Sequence, residues 1–209
     1  RGESDLVLVF VNPRDPFGLP LLQALTQLQE RFRVRFRLHT VWQLDDEMYP
    51  EPALWRSWAQ RDATRLSQLY GFTPPDRPTA PSETELTSTT ARLLDAEETE
   101  EGLITAVHVL KELWYSDTGQ QPDAAPARYD QARLSANERL LRRLGHYQGS
   151  MTWYLGKWFW GVDRLDHLER CLNEQGLNQD APDAVLFTRT WSELMSSGPS
   201  PTEGHRATD

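Results

Sequence analysis

Residues 145–171 read GHYQGSMTWYLGKWFWGVDRLDHLERC, and their reading decides the fold. Two short aromatic-rich runs, 151–155 and 158–160, are joined by Gly156-Lys157, a pair suited to a tight hairpin turn. The pattern breaks at Gly161. Asp163 then reads as the N-cap of a helix that carries Leu165, Leu168 and Leu172 on one side. Strand, turn, strand, glycine and capped helix make the closing half of an α/β domain.

The opening half lies at the start of the chain. Residues 5–11, DLVLVFV, form a continuous apolar run of strand length, of the kind buried on both faces of a sheet. A loop, Asn12-Pro13-Arg14-Asp15-Pro16, leads to a helical pattern over about 17–31 with Leu21, Leu22, Leu25 and Leu28 in register. Pro20 would cost an interior hydrogen bond if that helix began at Pro16, so the helix is expected to kink or to start later. Residues 33–41 alternate, with Val34, Phe36 and Leu38 on one side and Arg33, Arg35 and Arg37 on the other. They predict a second strand with a solvated arginine face. Strand, helix and strand of this length call for a right-handed parallel crossover.

Between the halves the pattern is helical. Helices are expected around Leu54 to Tyr70, over 83–96 and 98–116, and from a capping-box sequence, Ser135-Ala136-Asn137-Glu138, to Leu144. Residues 1–46 and 145–176 therefore read as one core and 47–144 as a mainly helical insertion. Residues 177–195 form a C-terminal extension, and 196–209, rich in Ser, Pro and Gly, a disordered tail or linker. Within the extension, 184–195 carries Leu186, Phe187, Trp191 and Leu194, and is expected to dock on the core or on the second subunit of a homodimer.

Composition bounds the function. A net charge of −9 makes a nucleic acid a poor partner, and no apolar run reaches the roughly 18 residues of a membrane span. Cys171 is the only cysteine, which excludes a dithiol–disulfide cycle within the chain. It falls mid-helix and reads as a small buried hydrophobe. The five histidines are scattered without ligand spacing, so no metal is expected. One thiol and no signal-peptide pattern give a cytoplasmic, reducing compartment as the expectation.

The wording of the opening stretch is more specific than its pattern. Gly149-Ser150-Met151-Thr152, followed by a hairpin and Phe159-Trp160-Gly161-Val162-Asp163-Arg164-Leu165, resembles the G-V-P-T and F-W-G-x-D-R-L signatures of one branch of the DsbA-like family. That branch holds the 2-hydroxychromene-2-carboxylate isomerases and kappa-class glutathione transferases. The resemblance covers roughly residues 5–176 and implies an α/β, thioredoxin-like fold with an inserted helical subdomain. It also implies a glutathione-dependent isomerase or transferase acting on a small aromatic molecule. The alternative is a catalytically degenerate thioredoxin-fold binding domain, or one half of a larger tandem protein.

In such proteins the reactive group stands at the start of the first helix, as C-P-x-C in redox members and S-P-Y-S in this branch. Here the place reads Asp15-Pro16-Phe17-Gly18. Asp15 has two readings: an N-cap followed by proline at the first helical position, or a catalytic residue replacing the family serine or cysteine. Beside a helix N-terminus its pKa is expected to be low, which would make it a poor base. The family's cis-proline is replaced by Met151, so a trans peptide is expected there. By the same resemblance Phe17, Met151, Thr152 and Asp163 are the candidate glutathione-binding residues, Asp163 matching the acidic residue that holds the amino end of glutathione. Some of the eight tryptophans are expected to line an apolar cleft between core and insertion.

Overall fold

A computed structural model describes residues 5–42, 52–115, 129–179 and 185–188, with the backbone alone at 52–54. The described chain is mixed α/β. Its strands are β1 (Leu6–Val11), β2 (Arg35–Thr40), β3 (Met151–Tyr154) and β4 (Lys157–Trp160). Its helices are α1 (Gly18–Arg31), α2 (Pro52–Tyr70), α3 (Glu83–Ala96), α4 (Gly102–Trp114), α5 (Gln131–Arg143) and α6 (Leu165–Glu174).

The four strands lie in the order β2-β1-β3-β4. β1 and β2 are parallel, with Val9 opposite Leu38; β3 runs antiparallel to β1, with Thr152 opposite Val9, and β4 antiparallel to β3. As the apolar run predicts, β1 is central and covered on both sides. Val7, Val9 and Val11 point into the larger core with Leu21, Leu22, Leu25 and Leu28 of α1. Phe10 points the other way, into a smaller core with Val41 and Leu141. α1 is apolar nearly all round because α4 packs against its far side, contributing Ala106, Val107 and Leu110 to the same core.

Local chemistry shifts several expected boundaries. α1 begins at Gly18, so Pro20 sits in the first turn, where its missing N–H breaks no helical bond. The hairpin turn is Leu155-Gly156 rather than Gly156-Lys157; both residues have positive φ, 47° and 82°, as a two-residue turn matched to strand twist requires. α5 starts five residues earlier than its capping-box sequence predicts, because the Asp130 carboxylate accepts from Arg133 N at 3.0 Å and caps it there. Asn137 is instead a bridge to the sheet: it donates to Thr40 O and to the Glu97 carboxylate and faces His39 Nδ1, each at 3.0 Å. A true capping box forms at Ser82 and Glu85, before α3. Arg35 and Arg37 are exposed on β2, and Arg35 pairs with Asp5, as a solvated strand face predicts.

Beyond α6 the chain returns to the core. The Glu169 side chain, fully buried, pairs with Arg31 at 2.7 Å and accepts from the backbone N–H groups of Leu186 and Phe187 at 2.9–3.0 Å. Phe187 is buried against Tyr70 and Phe72, with ring centroids 5.3 and 6.3 Å away. The extension thus docks on the core at 185–188; Trp191, Leu194 and the expected tail at 196–209 lie outside the described residues.

Candidate functional site

Three loops meet where β1 ends and β3 begins. The first turns at Asn12, which is fully buried: its side-chain amide donates to Trp42 O at 3.3 Å and its Oδ1 accepts from Arg14 N at 2.9 Å. Its backbone carbonyl accepts from Asp15 N at 3.0 Å, and the Asp15 carbonyl from Gly18 N at 3.1 Å, which leads into α1. Arg14 reaches over the rim, stacked 4.2 Å from the Trp42 ring centroid and bonded to Glu83 at 2.8 Å.

The second loop, 149–150, presses against the first. A Cβ on Gly149 would stand 2.5 Å from Asn12 Cβ and 2.9 Å from Asn12 N, so only glycine allows this approach. Ser150 follows with φ 54°, a left-handed conformation that costs a non-glycine residue about 1–2 kcal/mol. Its carbonyl accepts from Gly161 N at 3.0 Å, which ties in the third loop, the 3₁₀ turn Val162–Arg164. Gly149→Ala is expected to destabilise the protein by about 1–3 kcal/mol through overpacking against backbone. Thermal unfolding checks this, and a wild-type midpoint would mean that the loops part without cost.

Asp15 lies at the centre. It is not the N-cap: Phe17 takes that position without a side-chain bond, and the Asp15 carboxylate instead accepts from Phe17 N at 3.0 Å, two residues on. Only 7% of Asp15 is exposed. Burial pushes its pKa up to about 6, against the opposing pull of the Ser150 hydroxyl and the Phe17 N–H. This corrects the expectation of a low pKa. The helix terminus supplies one N–H, while the surrounding protein removes nearly all the water, and desolvation wins. A carboxyl titrating near neutrality can both take and give a proton. Ser150 Oγ is fully buried and, although close enough to influence Asp15, makes no hydrogen bond of normal geometry. An unsatisfied buried hydroxyl costs about 1–3 kcal/mol.

The other expected site residues are placed unevenly. Phe17 is half-buried against the core beside Asp15. Met151 and Thr152 sit at the head of β3, paired with β1 on one side and β4 on the other, and both side chains are buried, Thr152 Oγ1 facing Phe159 O at 3.4 Å. Among the described residues no peptide bond is cis. Asp163 is exposed in the 3₁₀ turn and makes no capping bond; α6 begins two residues later with Arg164 as its uncapped N-cap. Flanking protein raises its pKa, Arg164 opposes the rise, and the Asp62 carboxylate of α2 adds to it; solvent at its exposed side limits the effect. Cys171 lies half-buried on α6, away from the three loops, with Lys157 Nζ 3.8 Å from its sulfur.

Ser150 and Asp62 are the residues that sequence reasoning missed. A serine directly before β3, where the resembling signature has an apolar residue, was the available signal for the first; nothing in the helical pattern of α2 distinguishes the second. Among the described residues no cluster of three or more His, Cys, Asp or Glu could hold a metal, and no helix is long and apolar enough to cross a membrane. Compared with protein-family models, with curated proteins and with solved structures, the chain finds no match in any of the three.

Proposed function

We propose that the chain has a thioredoxin-like fold with a helical insertion and acts as a glutathione-dependent isomerase or transferase on a small aromatic molecule. The sheet order β2-β1-β3-β4, with a parallel first pair and an antiparallel closing hairpin, supports the fold. The observation that carries the activity is Asp15: a buried carboxyl with a pKa of about 6, at the start of α1 and facing the loop before β3. It supplies an acid and base where the resembling proteins keep a serine or cysteine. An aromatic substrate is supported by Trp58 and Trp160, both more than half exposed. Trp58 lies one turn before Asp62 on α2, the residue whose charge reaches Asp163, and Trp160 stands three residues before Asp163.

A second reading, a binding domain without catalysis, is favoured by the inward side chains of Met151 and Thr152 and by the near-complete burial of Asp15. A titration with reduced glutathione, followed by tryptophan fluorescence, separates the two. Saturable binding at or below about 1 mM is expected, with loss in Asp163→Ala. No response at millimolar glutathione would leave the binding-domain reading.

A further inference from the structure

We propose that the sheet carries a second binding site, away from Asp15, that holds a small aliphatic carboxylic acid by its apolar tail and its single negative charge. This site lies on the face of the sheet turned away from α1 and does not depend on the glutathione reading.

Leu6 and Leu8 of β1, Trp153 of β3, Leu155 of the hairpin turn and Leu140 of α5 line a cavity there of about 350 Å³. Small-molecule sites occupy roughly 300–1,000 Å³. Leu8, Leu140 and Trp153 are only partly buried, packed on the edge of the smaller core around Phe10. Leu155 is the residue that folding alone explains least. It holds φ 47° in a two-residue turn, a place that asparagine, aspartate or glycine fills more readily, and 47% of its surface is exposed. Backbone strain of this kind collects where a ligand is bound. An apolar tail in the cavity would give the leucine side chain the cover it lacks.

Charge selects the class of ligand. Arg37 stands beside Leu8 across the β1–β2 ladder and lines the same cavity. It makes no hydrogen bond or ion pair among the described residues, whereas Arg35 on the same strand face is bonded to Asp5. His39 completes the lining, its Nδ1 lying 3.0 Å from Asn137 Oδ1. Burial, and with it the charge of Arg37, holds the His39 pKa below the usual histidine value against the pull of Asn137, which leaves the ring neutral at pH 7. Among the described residues no carboxylate lines the cavity. One unpaired guanidinium in a largely apolar cavity matches one carboxylate on an apolar body, and it can give that carboxylate two parallel N–H bonds. A dianion would keep an uncompensated charge, and a hydrocarbon would leave Arg37 unused. The four leucines around the space favour a flexible aliphatic tail.

Octanoate and octanamide, alike in length and different in charge, test this when titrated into the full chain by calorimetry at pH 7. Wild type is expected to bind octanoate with a Kd below about 1 mM and octanamide about tenfold more weakly. Arg37→Gln, a change at an exposed strand position, should lower octanoate to the affinity of the amide and leave the amide as it was. Leu155→Asn puts a residue suited to the turn in place of the strained one. It should weaken both compounds while its thermal unfolding midpoint stays at or above that of wild type. Equal affinity of wild type for the two compounds, or octanoate binding untouched in Arg37→Gln, would overturn the carboxylate assignment. Unchanged binding in Leu155→Asn would overturn the placement of the tail. A wild-type protein that binds neither compound at about 10 mM would overturn the site itself.

Discussion

Asp15→Asn is expected to make the protein more stable at pH 7, by about 3 kcal/mol. The carboxyl titrates at 3.8 in the unfolded chain and at about 6 in the folded one, and each unit of difference corresponds to about 1.4 kcal/mol. Between those two values the folded protein holds a proton that the unfolded chain has released. Stability from this group is therefore complete below pH 3.8, falls as pH rises through 6, and is absent above. Asparagine carries no charge at any of these pH values, and its oxygen can still accept from Phe17 N. In urea unfolding across a pH series, wild type should weaken between pH 4 and 7 by about this amount relative to the variant. For a chain of this size the thermal midpoint should rise by about 10 °C at pH 7. Equal stabilities at neutral pH would mean that water reaches the carboxyl. If Asp15 carries the proton in catalysis, the stabilised variant should also be inactive, the usual exchange between a strained site and a relaxed one.

The second large effect lies at the opposite end of the sheet. Glu169→Ala removes a fully buried carboxylate that serves Arg31 and two backbone N–H groups at once. The two N–H groups would remain inside the protein without their acceptor, and Phe187 would lose the tether that seats its ring against Tyr70. Breaking a buried pair by deleting one partner costs about 3–5 kcal/mol, so the thermal midpoint should fall by about 10 °C. Glu169→Gln keeps the acceptor and loses only the charge; its penalty should be smaller. A loss under about 1 kcal/mol in the alanine variant would show that the 185–188 segment contributes little to the fold.

How much of this was legible in the sequence depends on how local the cause is. β1, α1, β2 and the hairpin announce themselves through short-range periodicity, and their boundaries hold to within two residues. Caps are ambiguous in the sequence where two candidates compete. Ser135 sits in capping-box form, but Asp130 reaches a free N–H first, and Asp163 lies in a turn tight enough that Arg164 becomes the helix edge. The raised pKa of Asp15 is hidden from the sequence because residue order shows the helix terminus but not the burial. Gly149 and Ser150, which press on the same loop at Asn12 and Asp15, lie more than a hundred residues away in sequence. The same distance hid the role of Asp62 at Asp163.

The position of β1 has a consequence for how the molecule comes into being. Its parallel partner β2 ends at Thr40, but its other partner β3 begins only at Met151, with α2, α3, α4 and α5 among the described residues between them. On the ribosome β1 is made before both of its partners, and one of its hydrogen-bonding edges stays open until the hairpin emerges. Closing so long a loop adds little to the equilibrium cost, because loop entropy grows only with the logarithm of length. The delay is kinetic: sheet closure joins residues more than 140 positions apart in the chain, and such non-local pairing slows folding. Anything that halts synthesis before Trp160 therefore leaves an apolar strand exposed and ready to pair with the wrong neighbour.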